Sequence, residues 1–170
     1  MNTNKVKLRA LELEDVEKVF VWENDQEQWN VGVNNHYYSR YAIENYVLSA
    51  QNEDVFSSCQ VRNMIENEDS QSIGCVDLYD IDARHSKAGV GIYIDKDFRQ
   101  QGYAKQSLCL LENYALEILC LHQLYAVVGE DNESSIKLFA ECGYTQVATL
   151  QDWLRKGKEF KNALVFQKIL

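Results

Sequence analysis

Arg99, Gln100, Gln101, Gly102, Tyr103 and Ala104 form the run with the clearest chemical consequence in this 170-residue chain. The residues before it, 89–98, alternate with Val90, Ile92 and Ile94 on one side and predict a strand. After it, Ala104, Leu108, Leu111, Ala115 and Leu119 recur at helical spacing. A glycine turn between a strand and a helix start leaves several backbone N–H groups without intrahelical partners. With the positive end of the helix dipole behind them, those groups can capture a phosphate or diphosphate. Gly102 lets the main chain come close to such an anion, and Arg99 and Lys105 add positive charge at the rim. Two better-known phosphate sites are excluded by spacing. The turn holds a single glycine rather than Gly-x-Gly-x-x-Gly, and Lys105 is followed by Gln106 rather than Ser or Thr.

Gly89 and Gly91 lie inside the strand that leads into this turn, a pattern that marks a bulge or the close approach of another backbone. Other reactive side chains are dispersed. His36, His85 and His122 have no neighbours that would complete a triad or a metal site. Cys59, Cys75, Cys109, Cys120 and Cys142 include no Cys-x-x-Cys pair, so neither a metal centre nor a disulfide framework is expected.

The run Arg-x-x-Gly-x-Ala at a strand-to-helix turn resembles the acetyl-coenzyme A diphosphate loop of the GNAT superfamily of N-acetyltransferases. Three further segments share the resemblance. Leu8-Arg9-Ala10-Leu11, followed by Glu14-Asp15, resembles the opening strand and first helix of the branch that acetylates ribosomal-protein N-termini and polyamines. The segment 129–144, with Asn132, Ser135, Leu138, Phe139, Gly143 and Tyr144, resembles the family's Asn-x-x-Ser-x-x-Leu-Tyr-x-x-x-Gly-Phe stretch. Residues 74–104 are similar to the same region of bacterial spermidine/spermine N-acetyltransferases.

The resemblance implies an α/β fold with a mixed, mostly antiparallel central sheet of about seven strands flanked by about four helices. It implies acetyl-CoA as the acetyl donor, with Arg99, Gln100, Gln101, Gly102, Tyr103, Ala104 and Lys105 around the diphosphate. Ile92, Tyr93 and Ile94 would line the pantetheine arm on a strand that splays from its neighbour. Asn132, Ser135 and Phe139 would meet the cofactor from the other side. Asn132 or Asp131 is equally well placed to cap the helix that follows, and the two roles are compatible.

Two positions depart from the family pattern. Where many relatives carry a tyrosine that protonates the leaving thiolate, this chain has Phe139; where many carry a glutamate base, it has Gly89. An amine of pKa near ~10.4 must lose a proton before it attacks, so the departures matter. In one reading positioning and water suffice; in a second, other residues take over. Tyr93, Tyr103, Tyr125 or Tyr144 are candidates for the acid, and Asp77, Asp80 or His85 for the base. A protein that binds acetyl-CoA without turning it over is the third reading.

Charge bears on the acceptor. Residues 1–83 carry 6 Lys/Arg against 16 Asp/Glu, whereas residues 84–170 carry 11 against 10. Nucleic acid is a poor partner for so acidic a chain, and a cationic small-molecule amine or a basic protein terminus a good one. Glu23, Asp25, Trp29 and Tyr38 are the candidate acceptor-binding residues, pairing carboxylates with rings that suit a cationic alkyl chain. No apolar run approaches the ~20 residues that span a bilayer, and residues 1–10 lack the apolar core of an export signal, so a cytoplasmic protein with no membrane partner is expected. A homo-oligomer is compatible with these features.

Stepping along the chain, residues 1–170 are expected to form one domain. Strands are expected at 5–11, 58–65, 73–81, 89–94, 123–128, 144–153 and 160–169, with a polar turn at 66–71. Helices are expected at 14–24, from an N-cap at Ser39 to residue 50, from the glycine turn to about residue 121, and at 134–142 with Gly143 just beyond its end.

Overall fold

The computed structural model describes residues 5–26 and 36–170. The opening strand β1 (Val6–Ala10) leads through a single 3-10 turn (Leu13–Asp15) into α1 (Val16–Glu23), which buries Val16, Val19 and Trp22 along one stripe. Helix α2 (Arg40–Asn52) starts at the expected cap, where the Ser39 side chain accepts from the Ala42 N–H, and it buries Ile43 and Val47. A one-turn helix α3 (Val55–Ser58) follows. Then come β2 (Val61–Asn67), β3 (Ser72–Asp82), β4 (Lys87–Ile94), α4 (Tyr103–Glu117), β5 (Gln123–Gly129), α5 (Glu133–Glu141), β6 (Thr145–Lys156) and β7 (Glu159–Ile169).

The seven strands form one sheet in the order β1-β2-β3-β4-β5-β7-β6. Every neighbouring pair is antiparallel except β4 and β5, which run parallel. This is the mixed, mostly antiparallel α/β sheet that the resemblance implies. Side chains on the two faces enter separate cores. Val76, Leu78, Ala88 and Val90 pack with Leu108, Leu111 and Phe139 from α4 and α5. Met64 and Cys75 pack with Val19, Trp22 and Val47 from α1 and α2. The alternation of Met64 with Ile65, and of Cys75 with Val76, is the period-2 pattern feeding one residue to each layer.

Three element boundaries differ from expectation. The second strand starts at Val61 rather than residue 58, because the Asp54 carboxylate accepts from the Phe56 and Ser57 N–H groups and winds residues 55–58 into a helical turn. The same strand continues through Glu66 and Asn67, which were expected in a turn. Both are buried there, Glu66 held by Lys7 and Arg9, and Asn67 by side-chain bonds across the hairpin to Gln71. Helix α4 ends at Glu117, although Leu119 and Leu121 beyond it still bury their side chains.

One half-buried cation fastens the first helix to the sheet. Arg9 on β1 donates to both oxygens of Asp15 at 2.6 and 2.7 Å, to Glu66 at 2.5 Å and to Ser72 Oγ at 2.8 Å. Burial pushes the Asp15 carboxyl up, but the Arg9 guanidinium and the Glu12 N–H outweigh it and hold the group below the usual carboxylate range. Glu66 is also held low, first by Lys7 and then by Arg9. Carboxyls depressed in the folded state add stability above the ordinary values near ~4, and that stability is lost as pH falls through their folded values. Arg9→Ala is expected to lower the unfolding free energy by about 3 kcal/mol in urea titrations, since it leaves the buried Asp15 carboxylate without its cation and Glu66 with Lys7 alone. Asp15→Asn should flatten the fall of Tm with pH on the acid side. An unchanged urea midpoint in Arg9→Ala would show that this network does not hold the helix.

Candidate cofactor and acceptor site

Strand β4 is paired along its length on one edge only. Residues 89–94 all register against β3, from Gly89 opposite Tyr79 to Ile94 opposite Gly74. On the other edge β4 pairs with β5 at just three positions: Lys87 with Gln123, Ala88 with Leu124 and Gly89 with Tyr125. Beyond Gly89 the two strands form no further pairs, while β5 continues against β7 as far as Gly129 opposite Ala163. Every second residue of β4 turns its N–H and C=O away from β3, so past Gly89 those groups face a wedge with no strand to meet them.

The wedge opens toward the glycine turn. Asp95 caps a 3-10 turn at Lys96–Phe98, accepting from the Asp97 N–H at 3.3 Å, while its own N–H donates to Ile73 O at 2.8 Å. Arg99 follows, its Nε donating to Ile94 O at 2.9 Å and its guanidinium 5.9 Å from the centre of the Tyr93 ring. Gln100 and Gly102 adopt left-handed φ values of 61° and 81°. Gly102 is the N-cap of α4 and no side chain caps that helix start. A Cβ built on Gly102 would meet nothing within 4 Å, so the space above the exposed amides belongs to no protein atom. Uncapped amides, a helix dipole and exposed Arg99 and Lys105 fit a diphosphate. Tyr103 is turned inward and buried, its hydroxyl donating to Glu68 at 3.4 Å, so only its main chain belongs to the turn.

Side chains around the wedge sort by strand parity. Ile92 and Ile94 pack against the core under α4, and Tyr93 lies against Trp22 with ring centres 5.3 Å apart. Their main chain past Gly89 faces the wedge, and their side chains remain partly exposed beside it. Across the wedge, Asn132 caps α5 by accepting from the Ser135 N–H at 3.2 Å, which is the capping role foreseen for it. Phe139 is 3% exposed and packed between Tyr144 and Phe166, at ring distances of 5.1 and 6.2 Å. It is a core residue.

The structure places the candidate acids and bases in different surroundings. Tyr144 is 4% exposed, and burial pushes its hydroxyl far above the ordinary phenol range. Burial also pushes Tyr93 up to about 12. His85 sits in the β3–β4 turn, at the end of β4 remote from the glycine turn, with Nδ1 2.7 Å from Asp82. Both oxygens of Asp77 are taken by Arg62, at 2.8 and 3.0 Å. Asp80 and Tyr125 remain: the Tyr125 hydroxyl donates to Asp80 Oδ2 at 3.4 Å, beside the last β4–β5 pair. Gly89 itself is covered by the Tyr79 ring, whose Cε2 lies 2.3 Å from where a Cβ would stand. Tyr79 and Tyr125 thus meet edge to face across Gly89, 6.0 Å apart, and no glutamate fits at that position.

The acceptor candidates line the opposite face. Glu23 ends α1 and bonds Arg62 at 2.5 Å, so one guanidinium is shared by Glu23 and Asp77, with the Tyr46 ring 5.5 Å away. One cation between two carboxylates leaves an excess negative charge just behind Gly91, whose Cβ position is 3.6 Å from Asp77 Oδ2. Tyr38 is half-buried against the α1–α2 core, and Asn24 bonds its N–H and C=O. Asp25 is half-buried at the end of the same helix, and Trp29 lies outside the described residues. Sequence reasoning missed Arg62 as the hub of this cluster, because its partners lie 39 and 15 residues away on two other elements. It also missed the indole of Trp22, which donates to Asp95 Oδ2 at 2.8 Å and ties α1 to the turn before the anion loop.

A strand wedge ending in an anion-binding helix start defines a class of proteins that hold a phosphorylated ligand with an extended arm. Residues 5–145 match the acetyltransferase (GNAT) domain, and the chain belongs to that family, which uses acetyl-CoA as acetyl donor. Spermidine N(1)-acetyltransferase of Escherichia coli (strain K12) is 25% identical over 167 residues, covering 96% of this chain and 85% of its own. The crystal structure of Vibrio cholerae spermidine N-acetyltransferase in complex with CoA and spermine superposes with a TM-score of 0.88 at 22% identity, covering 98% of this chain and 96% of that one. A dodecameric structure of spermidine N-acetyltransferase from Vibrio cholerae gives 0.83 at 22% identity, with 98% and 95% covered. Among the described residues no helix is long and apolar enough to cross a membrane.

The covered glycine can be tested directly. Gly89→Ala is expected to destabilise the protein by about 1–3 kcal/mol through overpacking against the Tyr79 ring. Combined with Tyr79→Ala it should cost clearly less than the two single changes together. Additive effects in urea unfolding would mean that the ring does not occupy the space over Gly89.

Proposed function

We propose that this protein is an acetyl-CoA-dependent N-acetyltransferase whose acceptor is a primary amine of a polyamine such as spermidine or spermine. The observation that carries the reading is the β4–β5 wedge leading onto an uncapped helix start at Gly102. In it the main chain of β4 pairs with the pantetheine arm, and the amides of residues 102–105, with Arg99 and Lys105, hold the diphosphate. Acetyl-CoA supplies an activated acyl carbon and a leaving thiolate of low basicity, with an ordinary thiol pKa near ~8.5. Asn132 and Ser135 close the site from α5, and Gln100 and Gln101 contribute exposed amides at the rim.

Polyamine as acceptor is supported by the names of the relatives and by the charge of the opposite face. Glu23 and Asp77 carry one more negative charge than Arg62 neutralises, and Asp25 adds another nearby. A polyamine presents several cations along an apolar chain, which suits carboxylates interleaved with Trp22, Tyr46 and Tyr93. We also propose a homo-oligomer, as the Vibrio cholerae relative is dodecameric. Edge strand β6 and its hairpin expose Val147, Trp153 and Phe160, a surface such an assembly would cover.

Incubation of the pure protein with acetyl-CoA and a panel of spermidine, spermine and basic peptides should release thiol only with the polyamines. Release with peptides alone would move the acceptor to a protein N-terminus, and binding without release would make the protein a sensor. Gly102→Glu should abolish CoA binding in calorimetry, because it strains a φ of 81° and places a carboxylate in the anion's space. Unchanged affinity would remove the diphosphate from this turn.

A further inference from the structure

We propose that Asp80 is the group that accepts the proton of the attacking amine, taking over at the closed end of the wedge the task that Gly89 cannot perform. The inference rests on the acetyl-transfer reading. Four observations carry it. Asp80 lies in an irregular stretch of β3, where the β3–β4 register jumps between Tyr79 and Asp82, and this throws its side chain out of the regular alternation. Its φ of 49° is left-handed, a conformation that aspartate and asparagine adopt more readily than other side-chain-bearing residues and that turns the carboxylate away from the regular strand. Its carboxylate is exposed, and the Tyr125 hydroxyl reaches Oδ2 at 3.4 Å, a long contact beside the Gly89–Tyr125 pair where the wedge closes. The Tyr79 ring fills the space over Gly89 and leaves no room for a carboxylate rooted on β4.

Among the carboxylates and imidazoles described around β4, Asp77 has both oxygens on Arg62, and Asp95 is committed to Trp22 and to its own turn. His85 and Asp82 pair with each other at the turn. Asp80 is held by a single, long contact from a neutral donor, so its second oxygen remains available to an amine or to one water between them. In the step assigned to it, the amine nitrogen forms the C–N bond and gives its proton to the Asp80 carboxylate. The C–S bond breaks and its electron pair leaves on the thiolate, which takes a proton from solvent.

The left-handed φ dictates the variants. Asparagine is the side chain best tolerated there after glycine, so Asp80→Asn keeps the backbone and the Tyr125 hydrogen bond while losing basicity. Asp80→Gly keeps the backbone and removes the carboxylate altogether. With spermidine as acceptor, Asp80→Asn is expected to lower kcat by about 100-fold or more, and to leave the KM for acetyl-CoA unchanged. Added formate should restore turnover to Asp80→Gly and do nothing for the unmodified protein. An Asp80→Asn variant that keeps kcat, beside an active unmodified protein, overturns the assignment alone; so does a slow Asp80→Gly that formate does not rescue. An unmodified protein that binds CoA but releases no thiol with any amine overturns the transfer reading, and the role of Asp80 falls with it.

Discussion

The site depends on an unequal sharing of hydrogen bonds by one strand. β4 is satisfied along one edge by β3 and along the other for only three residues by β5. Unpaired main-chain groups in an interior are costly, on the order of 1–3 kcal/mol each, unless water or a ligand meets them. A wedge of this kind persists because its two sides are anchored elsewhere. β5 is paired with β7 through Gly129, and β4 with β3 through Ile94. The parallel sense of the β4–β5 contact requires a crossover, and α4 supplies it. The start of α4 therefore arrives at the open end of the wedge as a consequence of chain connectivity, and the uncapped helix start and the unpaired strand edge are one construction.

Buried charge holds the helical layer on the acceptor face against this sheet. Arg9 ties the turn before α1 to β1 and β2, and Arg62 ties the end of α1 to β2 and β3. Each guanidinium is matched by two carboxylates in planar contacts that fix direction as well as distance. Four of the carboxylates that make the first half of the chain so acidic, Asp15, Glu23, Glu66 and Asp77, are consumed in this way. Counted as a sum, the acidity of residues 1–83 overstates the field that an incoming cation meets. Around Arg62 one guanidinium meets two carboxylates in a half-buried place, where screening is weak.

Sequence pattern was a good guide where one local rule decides the outcome. Ser39 as a cap, Gly143 at a φ of 85° beyond α5, and the strand–turn–helix around Gly102 all follow from the chemistry of single residues. It was a poorer guide where a distant partner decides. Glu66 and Asn67 look like turn residues until Arg9, Lys7 and Gln71 are brought to them. Ile92, Tyr93 and Ile94 are expected to line an arm, and parity, which the sequence shows, divides their partly buried side chains between the edges of the two cores. Gly89 was legible as the loss of a family carboxylate, but not as the seat of a Tyr79–Tyr125 contact, because the pairing of three strands sets that geometry.

Capture and chemistry make opposite demands on the acceptor face. Carboxylates near a primary amine favour its ammonium form, and that form cannot attack a thioester. An amine of pKa near ~10.4 already gives up about 5 kcal/mol to present its neutral form at pH 7, and each unit by which a carboxylate raises that pKa adds about 1.4 kcal/mol. An acidic wall placed directly at the reacting nitrogen would therefore slow the reaction it feeds. The fold separates the two demands along β4. The excess charge around Arg62 lies behind Gly91, on the wedge side of the last strand pair, and is tied up in ion pairs that cannot take a proton cheaply. The exposed carboxylate of Asp80, in long contact with a phenol, lies on β3 just beyond the Tyr79–Gly89 pair, where the wedge closes. A polyamine has several nitrogens and can satisfy both places at once, one ammonium drawn to the charged cluster while another nitrogen is free to give up its proton. A simple monoamine cannot. That difference gives a physical reason for such a site to select acceptors with more than one cationic centre.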